Sequence, residues 1–283
     1  MASYQRRQMG GQQISPQDTG IISAILIPAV TACVMFVVEY LWRASKDVNT
    51  RFVTLLDYTA QSSDGVIVIS QDPTNPASIQ LAPSVNERTG IEFAYSFFLS
   101  VKESTFNGQM ELHHVMHRGY RSPWPLMSPG IFIRGDTNTM RVVMNTNKSV
   151  YNYADVTNIP INKWFNVVLN CYTSGLDIYI NGNLAHRIKF NGEIVYQNFE
   201  DLLIFSPNIK VVRNAVTAAA TEDISFNGSF DGNISSIKYA RYALSIKEIN
   251  SLMAAGPSAK TVTSAATGDT AYLSDTWWAD QQN

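Results

Sequence analysis

The stretch KWFNVVLNCYTSGLDIYINGNLAHRIKF, residues 163–190, restricts the possible folds more than any other part of the chain. Phe165, Val167, Leu169 and Cys171 recur at every second position, the period of a strand with one apolar face. Thr173-Ser174-Gly175 then offers a turn, and Leu176, Ile178 and Ile180 line the next strand. Asn181-Gly182 follows, and Leu184, Ile188 and Phe190 face inward on the returning strand. A two-residue hairpin turn wants positive φ at both central residues, which Asn and Gly tolerate best. The unit predicts a three-stranded antiparallel meander.

The same signal recurs along the chain. Residues 65–70 (GVIVIS) form a short β-branched run. In residues 91–101, Ile91, Phe93, Tyr95, Phe97, Leu99 and Val101 alternate with Glu92, Ala94, Ser96, Phe98 and Ser100, predicting a strand with one buried face. Residues 131–145 read as a hairpin, and residues 229–244 (SFDGNISSIKYARYAL) as a last long strand. The Ala/Thr-rich segment 214–223 reads as a loop. One helix is signalled near 246–254: Ser245 and Glu248 make a capping box, Ile249, Leu252 and Met253 an apolar stripe, and Gly256-Pro257 a stop. Many short strands separated by turns predict an all-β sandwich.

Ahead of this region lies a segment of another kind. Residues 21–38 carry no charge. Ile21, Ile22, Ile25, Leu26, Ile27, Val30, Val34, Phe36, Val37 and Val38 each favour insertion by roughly 0.3–0.6 kcal/mol, about 3–6 kcal/mol together. Glu39, Tyr40, Trp42 and Arg43 stand where an interfacial belt belongs. A secretory signal is the rival, with Arg6 and Arg7 as its basic region and Val30-Thr31-Ala32-Cys33 as a lipoprotein-like box. The apolar run continues past Cys33, where a mature lipoprotein would turn polar, so a retained anchor is expected. The run is apolar on all sides, which disfavours a core helix. The expected organisation is a polar tail (1–19), a transmembrane helix (20–43), a linker (44–49) and a sandwich (50–283) with a C-terminal tail. Arg43, Lys46 and Arg51 against Arg6 and Arg7 lean toward a large domain on the cytosolic side.

The net charge of −2, with no cluster of basic residues, gives no pull toward nucleic acid. Cys33 lies in the apolar run and Cys171 in a strand, so no disulfide is expected.

Residues 84–101, 113–119 (HHVMHRG), 129–146 (PGIFIRGDTNTMRVVMNT), 158–187, 230–257 and 271–278 (AYLSDTWW) together carry a resemblance. Over residues 50–278 the chain resembles the concanavalin A-like (laminin-G/pentraxin-like) jelly-roll proteins of large DNA viruses, particularly those of algae. That resemblance implies a membrane-anchored virion component, a minor capsid protein at the internal membrane.

The chemistry-bearing candidates are few. The wider superfamily contains glycanases, but retaining glycosidases need two carboxylates about 5–5.5 Å apart. No E-x-D-x-x-E pattern is present; Glu92 stands alone, and Glu200-Asp201 would point to opposite faces of a strand. No catalytic residue is assigned. His113 and His117 would share a strand face, with His114 between them, but no third ligand is near and they read as edge or surface histidines. Asp136, Asn138, Asp231 and Asn233 are turn oxygens and candidates for Ca²⁺, which wants six to eight such ligands. Arg134-Gly135-Asp136 reads as turn chemistry rather than as an adhesion tripeptide. Asn147, Asn227 and Asn233 head N-x-S sequons, relevant only to a luminal domain. Trp277 and Trp278 are candidates for partner contacts. The expected function is structural, linking bilayer to capsid or other virion proteins. A membrane-anchored lectin with a glycan site is the alternative, and a glycan hydrolase a more distant one.

Overall fold

The computed structural model describes residues 26–41, 52–84, 91–216 and 221–261. The chain divides into two units, Met1–Arg51 and Phe52–Asn283.

In the first unit, residues 26–41 form one helix, α1. Every residue of α1 is exposed, among them Leu26, Val30, Val34, Phe36 and Val38. The Thr31 hydroxyl is satisfied internally, Oγ1 donating to Ile27 O at 2.8 Å. At 1.5 Å per residue α1 is about 24 Å long, short of a hydrocarbon layer of about 30 Å. Among the described residues no helix is long and apolar enough to cross a membrane. Ile21, Ile22, Ile25 and Trp42 of the expected anchor lie outside the described residues.

The second unit is a jelly-roll-like β-sandwich, mostly antiparallel. Its strands are β1 (Val53–Gln61), β2 (Ile67–Ile69), β3 (Phe93–Val101), β4 (Leu112–Gly119), β5 (Met127–Arg134), β6 (Met140–Met144), β7 (Asn152–Val156), β8 (Trp164–Tyr172), β9 (Gly175–Ile180), β10 (Asn183–Lys189), β11 (Leu202–Ile204), β12 (Ile209–Val216), β13 (Thr221–Ser229) and β14 (Gly232–Ala240). One sheet has six strands in the order β1-β14-β3-β8-β9-β10. The other has eight: β12-β13-β4-β5-β6-β7, with β11 pairing β4 and β2. The β4–β13 pair is parallel, unlike the other pairs between these strands.

The meander is built as its sequence demands. Asn181 and Gly182 adopt φ of 48° and 76°, and Asn183 pairs with Ile180 across the turn. Phe93, Tyr95, Phe97, Leu99 and Val101 enter the core between the sheets, together with Phe165, Val167, Leu169, Leu176 and Ile178. The opposite face of β3 is buried too, correcting the one-sided reading. Helix α2 (Ile246–Ala255) lies over it, and Ile249 and Leu252 meet Ala94, Val168 and Tyr179. Its capping box forms as expected: Ser245 Oγ accepts from Glu248 N–H, and Glu248 reaches back to Ser245 N–H at 2.9 Å.

Two further expectations are corrected. Residues 229–244 are not one strand: β13 ends at Ser229, Phe230-Asp231 turns, and β14 begins at Gly232. The 214–223 segment is not a loop throughout, since residues 214–216 end β12 and 221–223 begin β13. Ala215 is buried in one cluster with Ile224 and Phe226.

Candidate functional site

The outer face of the eight-stranded sheet carries the most concentrated chemistry in the sandwich. Along β6, Met140, Val142 and Met144 point into the core, which turns Arg141 outward. Along β7, Ala154 and Val156 point in and Tyr153 and Asp155 out. Arg141 and Asp155 are directly paired across the strands. A cavity of about 280 Å³ opens here, its polar lining made by Glu111, Arg134, Arg141, Tyr153, Asp155, Glu222 and Asp223.

Its polar groups form one network. Arg141 Nε and Nη2 donate to the two oxygens of Asp155, each at 2.7 Å. Arg134 Nη1 reaches the same carboxylate at 3.3 Å, while its Nε and Nη2 hold Asp136 at 2.9 and 2.6 Å. The Arg141 guanidinium lies 3.9 Å from the centre of the Tyr153 ring. Burial works against its charge, but the Asp155 hydrogen bonds and Tyr151 outweigh that and its pKa is raised. Burial pushes the Tyr151 phenol up to about 12. Asp136, hydrogen-bonded to Arg134, is held below the usual carboxylate range.

Three of the four carboxylates lining the cavity have hydrogen-bond partners. Asp155 has Arg141, Glu111 accepts from Asn227 Nδ2 at 2.6 Å, and Asp223 accepts from Asn214 N–H at 2.8 Å. Glu222 Oε1 stands 3.9 Å from Arg141 Nη1 and is buried without a hydrogen-bond partner. Four carboxylates face two guanidinium groups, so the cavity is net negative. It presents hydrogen-bond acceptors rather than a free acid–base pair.

The other expected residues fall elsewhere. Asp136 is occupied by Arg134, and the RGD tripeptide closes on itself. Asn138 donates to Ile159 O at 3.5 Å. Asp231 takes Ser104 Oγ at 2.5 Å and Lys102 Nζ at 2.9 Å, which lower its pKa. Asn233 sits in β14 with Oδ1 buried and without a partner. Among the described residues no group of three or more His, Cys, Asp and Glu side chains could hold a metal ion. Trp277 and Trp278 lie outside the described residues. Cys33 and Cys171 are both free thiols.

The histidine reading is corrected. A register shift between His114 and Met116 breaks the strand alternation, so His114, not His113, joins His117. β4 is central, not an edge, and all three rings are buried. Ser206 N–H donates to His114 Nδ1 at 3.0 Å. His114 Nε2 therefore carries the proton and donates to His117 Nδ1 at 2.6 Å; His117 Nε2 donates to Tyr120 O at 2.7 Å. His113 Nδ1 meets Asn227 O at 2.9 Å.

Sequence reasoning missed Arg141, Tyr153, Asp155 and Glu222. The signal was present: in MRVVM and NYADV the odd-numbered polar residues interrupt apolar partners on adjacent strands.

No family model matches the chain, and no curated protein does. Solved structures do share part of its architecture. One is the receptor-binding domain of botulinum neurotoxin D, at 13% identity and TM-score 0.44, covering 74% of this chain and 53% of that one. Another is the receptor-binding domain of botulinum neurotoxin mosaic serotype C/D, at 12% identity and TM-score 0.47, covering 72% and 45%. A third is Trypanosoma rangeli sialidase in complex with the inhibitor DANA, at 14% identity and TM-score 0.38, covering 57% and 22%. The chain thus spans less than two thirds of each of these proteins. At such values nothing of their binding or activity transfers, and the architecture rests on the strand pairing given above.

Proposed function

We propose that the chain is a non-catalytic, membrane-anchored β-sandwich that ties a bilayer to protein neighbours. In the setting implied by the resemblance to algal-virus jelly-roll proteins, these are the internal membrane and the capsid shell of a virion. The observation that carries this reading is α1, whose apolar side chains are exposed on all sides. A helix of that composition is at home in lipid, and in the sequence the uncharged run of residues 21–38 is of spanning length. Holding lipid and protein with one chain raises the effective concentration of the sandwich at the membrane. The engagement of the cavity's carboxylates supports a binder over a catalyst. The full chain mixed with phosphatidylcholine vesicles should float with them, stay through high-salt washing and leave only with detergent. Release by salt alone contradicts the reading.

A second reading is favoured by Glu222 Oε1, a buried acceptor without a donor beside the exposed side of a polar cavity. A sugar hydroxyl would satisfy it, making the cavity a glycan site for a neutral sugar, since net negative charge repels acidic ones. A glycan array on the wild type and Glu222→Ala, which removes the acceptor, tests this. Binding of neutral glycans lost in the variant supports it; no binding by the wild type, or unchanged binding by the variant, contradicts it.

A further inference from the structure

His113 is a histidine whose ring is only half used. It is 8% exposed, and its Nδ1 meets Asn227 O at 2.9 Å. A carbonyl only accepts, so Nδ1 carries the proton and Nε2 keeps its lone pair. That Nε2 is buried without a hydrogen-bond partner. The ring nitrogens of His114 and His117, by contrast, are all engaged. A buried polar atom left unpaired in a folded domain calls for an explanation, and an unfilled ligand position is one.

The surroundings of this nitrogen show what it lacks. Gly135, just after β5, donates its N–H to Glu111 O at 2.9 Å and accepts from Gly108 N–H at 3.0 Å. The segment ahead of β4 is thereby tied down over Gly135. A Cβ on Gly135 would stand 2.6 Å from Asn107 Oδ1, 2.8 Å from His113 Nε2 and 3.0 Å from Gln109 O. The three heavy atoms nearest that point are thus all acceptors, and none has a hydrogen to give. Asn107 Oδ1 accepts from Gln109 N–H at 2.9 Å and Gln109 O from Glu111 N–H at 2.8 Å, and each oxygen has a second lone pair. Behind them stands Glu111, whose Oε2 accepts from Asn227 Nδ2 at 2.6 Å and from Asn107 Nδ2 at 3.4 Å. One carboxylate braces both the residue that orients His113 and the amide that faces it.

We propose that His113 Nε2, Asn107 Oδ1 and Gln109 O form a site for a divalent first-row transition ion such as Zn²⁺, over the bare Cα of Gly135. A ring whose other nitrogen gives its proton to a main-chain carbonyl is held in the form in which histidine ligates metals. Imidazole beside neutral oxygens suits Zn²⁺, Ni²⁺ or Cu²⁺, whereas Ca²⁺ wants six to eight oxygens. Three protein ligands leave the fourth tetrahedral position to water. The Glu111 carboxylate behind the site favours positive charge there. Two of the ligands are amide and main-chain oxygens, so the site is not marked by a cluster of His, Cys, Asp and Glu side chains. The bound ion pins the segment ahead of β4 to the β4–β5 ladder.

The test uses the full chain in detergent with His186→Gln, which removes the exposed histidine of β10. Zn²⁺ is titrated by calorimetry, and Co²⁺ is followed by proton NMR. The expected result is a single Zn²⁺ site, a thermal unfolding midpoint that rises with Zn²⁺, and, with Co²⁺, a hyperfine-shifted exchangeable resonance from the Nδ1 proton that Asn227 O holds. Asn107→Asp, at an exposed residue, should tighten Zn²⁺ binding by about tenfold or more, because it puts a charge on a ligand oxygen. Gly135→Ala fills the site and His113→Gln removes the imidazole, and each should weaken binding by about tenfold or more and cancel the midpoint rise. No Zn²⁺ binding by the parent protein overturns the proposal and leaves His113 as a hydrated histidine. Affinity unchanged by Asn107→Asp overturns it too, even where the other two variants do not fold. Ca²⁺ displacing Zn²⁺ at equal concentration assigns the ion to an all-oxygen site elsewhere and also overturns it.

Discussion

Asp155 takes both arms of the Arg141 guanidinium at 2.7 Å, on the outward face of a sheet whose inward face is the core. The pair is mostly out of water, with side-chain exposures of 11% and 24%. Removing one member leaves the other charge stranded, which costs about 3–5 kcal/mol in a fully buried pair and about 2–4 here. Asp155→Ala should therefore lower the urea midpoint more than Asp155→Asn, which keeps an acceptor for Arg141. Equal effects would mean the pair is not what holds β6 and β7 in register at this point.

The His114–His117 pair makes acid lability a property of β4. Burial lowers the His117 pKa from 6.5 to about 4, with the Tyr120 carbonyl pulling the other way. Burial, and then the neighbouring His117 ring, hold the His114 pKa well below 6.5. The unfolded chain binds more protons between these values, so stability rises with pH there. It should be full above about pH 6.5 and be lost as pH falls through about 4, by about 3 kcal/mol from His117 alone at 1.36 kcal/mol per unit. Urea unfolding from pH 7 to 4 measures the slope. His117→Gln should flatten it.

Gly182 constrains the β9–β10 turn of the meander through both its backbone and its surroundings. Its φ is +76°, and a Cβ would stand 2.9 Å from Asn250 Oδ1 and 3.3 Å from Met253 Sδ of α2. Gly182→Ala should destabilise the sandwich by about 1–3 kcal/mol. Asn181→Gly, at φ 48°, adds no backbone strain but removes the oxygen that accepts from Asn166 N–H at 2.8 Å, and should cost about 1 kcal/mol. Thermal unfolding of the two variants compares backbone strain with the loss of one hydrogen bond.

Deep in the core, Phe97 is fully buried between the sheets. Phe97→Ala should cost about 3–5 kcal/mol in unfolding free energy. Trp164→Ala, on a side chain 38% exposed at the start of β8, should cost far less.

Much of this fold was legible because local chemistry and global packing agree. The Asn181-Gly182 turn, the alternation through β3 and the Ser245–Glu248 cap each need only neighbouring residues to be read. What was not legible depends on distant partners. Ala94, Ser96 and Phe98 looked solvent-facing because α2, which covers that face, is remote in sequence. The shift between His114 and Met116 is a backbone irregularity with no Gly or Pro to announce it. The cavity joins β6 and β7 to Glu222 of β13, although two strands separate β13 from β6 in the sheet, and no local pattern announces such a contact. The calcium candidates were read by residue type, whereas the structure shows Asp136 and Asp231 already satisfied by Arg134 and Lys102.

Cys33 reports on the central claim directly. Its thiol is exposed along α1, while the other cysteine, Cys171, is buried and its thiol pKa is raised, chiefly by that burial. A membrane-impermeant maleimide, added to the full chain in sealed vesicles and again after the vesicles are opened without detergent, samples both faces of the bilayer. The account predicts no labelling of Cys33 in either state and full labelling once detergent and denaturant are added. Labelling of Cys33 in intact membranes would place α1 in water and contradict it.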